Sequence, residues 1–230
     1  MEDEKKGLEM GAVDYITRPI RPGILLSRVR AHLADAAASQ AVRVNNEYLE
    51  YEVAKRTRQL TAMQDVSILA MASLAETRDN DTGNHIRRTQ FYVKALTRPL
   101  QRHPRFADYL TDSMCELLFK SAPLHDIGKV AVPSDILTKP TRLTNLEMQL
   151  VQEHVETGYQ ILKDIPFPWP IAEMVRQHHE RLDGSGYPRQ LTAEEILDEA
   201  KILAVADMIE AMASHRPYRP ARGLDIALSE

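Results

Sequence analysis

Two adjacent pairs, His125-Asp126 and His178-His179, carry the residue types best suited to chemistry in this chain. Lys129 follows the first pair in His125-Asp126-Ile127-Gly128-Lys129. Gly186-Tyr187-Pro188 follows the second. Imidazole and carboxylate together suit borderline to hard divalent metals, and a donor set without thiolates disfavours a structural zinc knuckle. A lysine one turn beyond a metal carboxylate is placed to meet an anion held by that metal. The pattern describes metal-assisted attack on a phosphate.

Further candidates lie around these pairs. Asp81 and His85 are four residues apart, so on a helix both face one way. Read alone, they are better taken as a helix cap and an exposed histidine. Asp126 ends an apolar run from about Leu117 to Leu124, where an unpartnered carboxylate is costly if buried. His154, by itself, reads as an ordinary surface or half-buried histidine. His178 and His179 point about 100° apart if helical. Asp207 lies in Ile202-Leu203-Ala204-Val205-Ala206-Asp207-Met208-Ile209, a helix apolar around most of its circumference, where a carboxylate calls for a cation. His32, His103 and His215 match nothing and read as surface residues.

The order of these pieces resembles the HD-GYP domain, a branch of the HD phosphohydrolases. The matching segments are Thr82 to Arg88, His125 to Lys129, Glu153-His154, His178 to Pro188, Ala206-Asp207 and Arg216-Pro217-Tyr218-Arg219. The resemblance implies a mainly α, HD-type helical bundle that binds two or three divalent metal ions, usually iron or manganese. It implies hydrolysis of cyclic di-GMP to the linear dinucleotide, and onward to GMP as an open second step. It makes metal ligands of Asp81, His85, His125, Asp126, His154, His178, His179 and Asp207, with Asp126 as the natural bridge. The family often has glutamate where this chain has Asp81, so that residue bears most on a third ion. Lys129 and Arg216 match the family's phosphate-contacting cations, and Tyr187 is set to meet phosphate or a guanine ring. The catalytic assignment is Asp126 and Lys129. Two alternatives stay open: another cyclic dinucleotide such as cyclic GMP-AMP, or a signalling module that binds ligand or a protein partner at the Gly-Tyr-Pro face without turnover.

Three segments are expected to position this set. Residues 1–36 resemble the last strand and helix of a response-regulator receiver domain, with Gly11 to Ile16 strand-like and an amphipathic helix from about Pro22. A receiver's phosphorylatable aspartate would stand before Met1, so this chain is not expected to accept a phosphoryl group itself. Residues 37–76 hold no Pro or Gly. Leu49, Val53, Leu60 and Met63 recur there at near-heptad spacing, interrupted by Arg56, and predict a linker helix that pairs with its twin in a homodimer, the alternative being a solvated helix packed on its own domain. Residues 77–230 form the phosphohydrolase domain, expected to be cut at its C-terminal end. Helices are predicted near 64–78, 83–100, 106–126, 145–163, 169–180, 192–197 and 199–214, with prolines between them.

Composition sets compatible bounds. The 230 residues are 43% hydrophobic, enough for one sizeable core plus an appendage. No apolar stretch approaches the roughly 20 residues of a membrane span. The single cysteine, Cys115, allows no disulfide within the chain, and a cytoplasmic setting is expected. A net charge of -4 argues against general DNA or RNA binding. It leaves room for a small anion held by metals and a few local cations.

Overall fold

The computed structural model describes residues 2–78, 84–167, 169–214 and 223–227. It divides into two compact units, Met1–Thr61 and Ala62–Glu230. Among the described residues there is no strand, only an isolated bridge between Asp183 and Thr192.

In the first unit a short helix, α1 (Glu2–Glu9), ends at Gly11, whose φ of +97° suits the left-handed turn that closes a helix. The strand expected over Gly11 to Ile16 does not form. A strand needs a neighbour for its N–H and C=O groups, and the described residues offer none. This stretch is held instead by Asp14, whose carboxylate accepts hydrogen bonds from Arg28 Nη1 at 2.5 Å and pairs with His32 Nε2 at 3.0 Å. The two partners, His32 foremost, draw the Asp14 pKa down to about 2. His32, expected to be an idle surface residue, therefore has this local role.

The helices expected from Pro22, over 37–76 and over 64–78 are one continuous helix, α2 (Pro22–Glu76), of 55 residues. Up to Thr61 none of its residues is buried. In the second unit its last turns turn Ile68, Ala72, Ala75 and Glu76 inward, one face of the 3.6-residue period.

The second unit continues with α3 (His85–Leu100), α4 (Asp112–Ser121), a 3₁₀ helix (Ala122–Ala131), α5 (Ser134–Leu137), α6 (Asn145–Gln152), α7 (His154–Leu162), α8 (Ile171–Gln177), α9 (Asp198–Ala213) and α10 (Leu224–Ala227). The helix expected over 106–126 starts later, because Thr111 caps it by accepting from Met114 N at 3.2 Å. It then tightens into the 3₁₀ helix at Ala122-Pro123. The helix expected over 145–163 is two helices meeting at Glu153, the first opened by a Thr144–Glu147 capping box. The segment 192–197 forms turns, not a helix.

The core packs α3, α4, α7, α8 and α9 through Val93, Met114, Leu118, Leu162, Met174, Val175 and Leu203. Burying each larger apolar side chain contributes roughly 1.5–3 kcal/mol against leaving it in water. The helix α9 runs through the middle, with Ala200, Leu203 and Ala206 fully enclosed. It carries Asp207 into the interior. No described helix is long and apolar enough to cross a membrane.

Candidate metal centre

Seven of the eight expected ligands converge, from five separate elements or helix ends. His85 opens α3. His125 and Asp126 sit in the 3₁₀ helix, His154 opens α7, His178 and His179 close α8, and Asp207 lies in α9. Asp81 lies outside the described residues, as does Arg216.

The seven form two groups. The nitrogens of His154, His178 and His179 lie within 4.8 Å of one another, and so do donor atoms of His85, His125 and Asp207. Asp126 stands between the groups. Its Oδ1 is 3.4 Å from His154 Nε2, while Oδ2 is 3.3 Å from His125 Nε2 and 3.8 Å from His85 Nε2. Asp207 Oδ1 is 3.7 Å from His125 Nε2 and 3.8 Å from His85 Nε2. Each group offers the N/O donors and close spacing that suit a divalent ion.

Three histidines are aimed by one device. His125 Nδ1 donates to Ala122 O at 2.8 Å, His154 Nδ1 to Val151 O at 2.7 Å and His178 Nδ1 to Val175 O at 2.6 Å. Each acceptor is the carbonyl three residues earlier. A carbonyl only accepts, so the proton stays on Nδ1 and the Nε2 lone pair faces inward. The buried Nε2 atoms of His154 and His178 make no hydrogen bond. A buried acceptor without a donor is costly, and a cation satisfies it. The residues therefore fit a metal.

Charge supports the same fit. Burial pushes the pKa values of His154 and His178 down, and that of His179 down to about 4, so all three are neutral donors at neutral pH. Burial opposes charge on Asp126 and Asp207, but neighbours outweigh it: chiefly Lys129 for Asp126 and His125 for Asp207, the two carboxylates in turn raising the His125 pKa against its own burial so that a proton on it holds the place a metal cation would take. Both carboxyls are held well below their ordinary range.

His85 has a different support. Its Nδ1 meets Glu210 Oε2 in a short contact, and Glu210 Oε1 accepts from Arg88 Nε at 2.8 Å, Arg88 Nη2 at 2.6 Å and Ser214 Oγ at 2.6 Å. Glu210 is fully buried. Sequence reasoning missed it, although a second carboxylate one turn after Asp207 in an apolar helix was a readable signal.

Local backbone explains how the ligands come so close. A Cβ on Gly128 would stand 1.9 Å from His154 O, so only glycine lets the 3₁₀ helix touch the start of α7. Residues three apart eclipse in a 3₁₀ helix, which stacks Lys129 over Asp126 with Nζ 2.8 Å from Oδ2. A Cβ on Gly186 would stand 2.3 Å from Arg181 N. The tight turn there brings the Tyr187 ring back onto His179, stacked at 4.8 Å between centroids. Burial, then the two site carboxylates, push the Tyr187 phenol pKa up, so it stays a donor. The buried Glu180 carboxylate fixes the same loop by accepting from Arg189 N at 2.7 Å and Leu191 N at 2.9 Å. His178 and His179 lie past the end of α8, with ring centroids only 4.0 Å apart, closer than a helical splay would leave them.

A cavity of about 340 Å³ opens onto the metal groups, lined by Asp126, Lys129, His154, His178, His179, Tyr187 and Asp207. Arg181, which the sequence reading did not single out, also lines it.

Comparison with known proteins agrees with this arrangement. A family model described as HD domain matches residues 57–230. A Vibrio cholerae protein named "Probable cyclic di-GMP phosphodiesterase" is 41% identical over 226 residues, 95% of this chain and 51% of that protein. The "Cyclic di-GMP phosphodiesterase response regulator RpfG" of Xanthomonas campestris is 33% identical, across 96% of this chain and 57% of its own length. The "3'3'-cGAMP-specific phosphodiesterase 2" of Vibrio cholerae is 34% identical, across 65% of this chain and 27% of its own. The chain spans about half the length of the first two of these relatives.

Proposed function

The chain belongs to the HD domain family, and from that premise we propose that it is a phosphodiesterase of the HD-GYP type that opens cyclic di-GMP to the linear dinucleotide. The observation that carries this reading is Asp126 between two ligand groups, one oxygen toward each. That geometry supports two ions sharing one carboxylate. Iron or manganese suits the donors, which also admit zinc and nickel. Asp81 is the residue on which a third ion turns.

Bound divalent ions supply a water of lowered pKa and neutralise charge on phosphate. The chain's own residues do the rest. His125, His154 and His178 are locked by their carbonyl bonds with lone pairs inward. Lys129, held over Asp126, presents its ammonium to the non-bridging phosphate oxygens. There it stabilises the charge that grows as the ribose oxygen leaves. Tyr187, pinned on His179, offers a phenol proton at the cavity wall. Arg216 is proposed as a second phosphate contact on its match to the family segment.

A second substrate is favoured by one observation: the relatives include proteins named for 3'3'-cGAMP. The deciding experiment is metal analysis of anaerobically purified protein, paired with turnover of cyclic di-GMP and cyclic GMP-AMP. We expect at least two ions per chain and faster opening of cyclic di-GMP. Metal without turnover of either compound would favour a binding module acting through the Gly-Tyr-Pro face.

The match to a relative named as a response regulator supports the remaining reading. Residues 1–36 are then the end of a receiver domain, 37–76 a linker helix pairing in a homodimer, and 77–230 the cytoplasmic output domain.

A further inference from the structure

Glu76 ends the long helix α2 and Arg78 stands two residues beyond it, and neither belongs to the ligand set. Glu76 is buried, and its Oε1 accepts a hydrogen bond from Ile86 N at 3.1 Å. Ile86 follows His85, the ligand that opens α3. Asn84, at the cap position of α3, makes no side-chain cap bond, so the glutamate serves the start of that helix. Arg78 is exposed and reaches the segment that carries Lys129. Its Nη1 donates to Val130 O, one residue after Lys129. The helix end is itself seated: Ile68, Ala72 and Ala75 pack inward, and Asp65 pairs with Lys120 at 3.2 Å.

We propose that Glu76 and Arg78 are positioning residues that tie the end of α2 to both sides of the metal site, so that the seating of its last turns sets where His85 and Lys129 stand. A small shift of this helix end moves a backbone amide beside a metal ligand and a carbonyl beside a phosphate contact together. The Lys129 arm rests on the phosphodiesterase reading given above. The His85 arm rests only on metal binding.

The test compares Glu76→Ala, Glu76→Gln, Arg78→Ala and Thr77→Ala with the parent. Thr77 lies between the two, and among the described residues its hydroxyl donates back to the last turn of α2, to Leu74 O at 2.8 Å. Metal retention is read by competition with a chelator, kcat and KM on cyclic di-GMP separately, affinity for inorganic phosphate on the metal-loaded protein, and the melting temperature as a control. Glu76→Ala should lose metal affinity by about 10- to 100-fold, the cost of removing an outer support. Glu76→Gln keeps an acceptor oxygen and should restore retention. Arg78→Ala should keep its metals, lower kcat by on the order of 10- to 100-fold and weaken phosphate binding, because Lys129 is misplaced. Thr77→Ala should match the parent. Parent-like metal retention in Glu76→Ala and parent-like kcat and phosphate affinity in Arg78→Ala would overturn the proposal, as would equal losses in Thr77→Ala. If the parent opens neither cyclic dinucleotide, the phosphodiesterase reading fails, yet chelator competition and phosphate affinity still decide the roles of Glu76 and Arg78.

Discussion

The two units break the usual partition of residues in opposite ways. The second buries charge: His85, His125, His154, His178 and Glu210 are all enclosed, with Asp126 and Asp207 beside them. The first exposes oil: Val42, Leu49, Val53 and Leu60 stand in solvent on a helix with no buried residue up to Thr61. Buried polar groups are stable when something pairs them, and an exposed apolar row when something covers it. Neither feature stabilises its unit unaided. Under the reading proposed above, ions would reconcile the buried set and a second helix would cover the exposed row. What separates them is the consequence expected of each: chemistry from the buried set, assembly from the exposed row.

If that division is right, the largest effect on turnover belongs to Asp126. Its two oxygens face different ligand groups, so Asp126→Ala should lose metal from both and abolish activity, while circular dichroism keeps most of the helical signal. Full metal content in the variant would sink the bridging assignment. Lys129→Ala should come next. It removes a contact to phosphate without removing a ligand, so metal content should stay and the barrier should rise by about two to four kcal/mol, the scale of a lost oxyanion donor. Unchanged kcat would take Lys129 out of the mechanism.

The candidate ligands were legible in the sequence because their choice depends on chemistry and order. An aspartate after an apolar run, an aspartate inside an apolar helix and a histidine pair before a glycine-rich turn each carry a local reason. Their grouping was not legible. That His85 joins His125 and Asp207, while His154 joins His178 and His179, follows from how α3, α7, α8 and α9 pack, which no local spacing encodes. Helix boundaries failed where side chains compete with periodicity. Thr111 starts α4 late, and Ala122-Pro123 tightens the chain into a 3₁₀ helix that aligns Lys129 with Asp126 better than an α-turn would. The outer supports, Glu210, Glu76 and Arg78, were missed because charged residues on helices read as solvent-facing until the packing is known.

Glu210 tests the buried half of the comparison at one remove from the metal. Glu210→Gln keeps an oxygen for His85 Nδ1 but loses the charge that Arg88 pairs with. Metal affinity should fall by about 10- to 100-fold, read by chelator titration. Turnover at saturating metal should fall less than in Lys129→Ala, because no phosphate contact is lost. A variant with parent affinity would mean that the His85 group needs only its geometry, not its carboxylate.

The exposed half is tested where turnover should not change at all. Val53 and Leu60 are seven residues apart on α2, one heptad, and 65% and 63% exposed. In a parallel pair each meets its twin across the seam. Replacing both with Glu places like charges there and should convert a dimer to monomers, measured by light scattering at micromolar concentration. No site residue lies on that part of the helix, so metal content and kcat per chain should match the parent. A parent already monomeric under those conditions would remove the pairing and leave the apolar row unexplained. A dimer that dissociates with a large loss of kcat would break the comparison itself, since assembly would then reach the chemistry. The end of α2, where Glu76 and Arg78 hold the site, is the place through which it would do so.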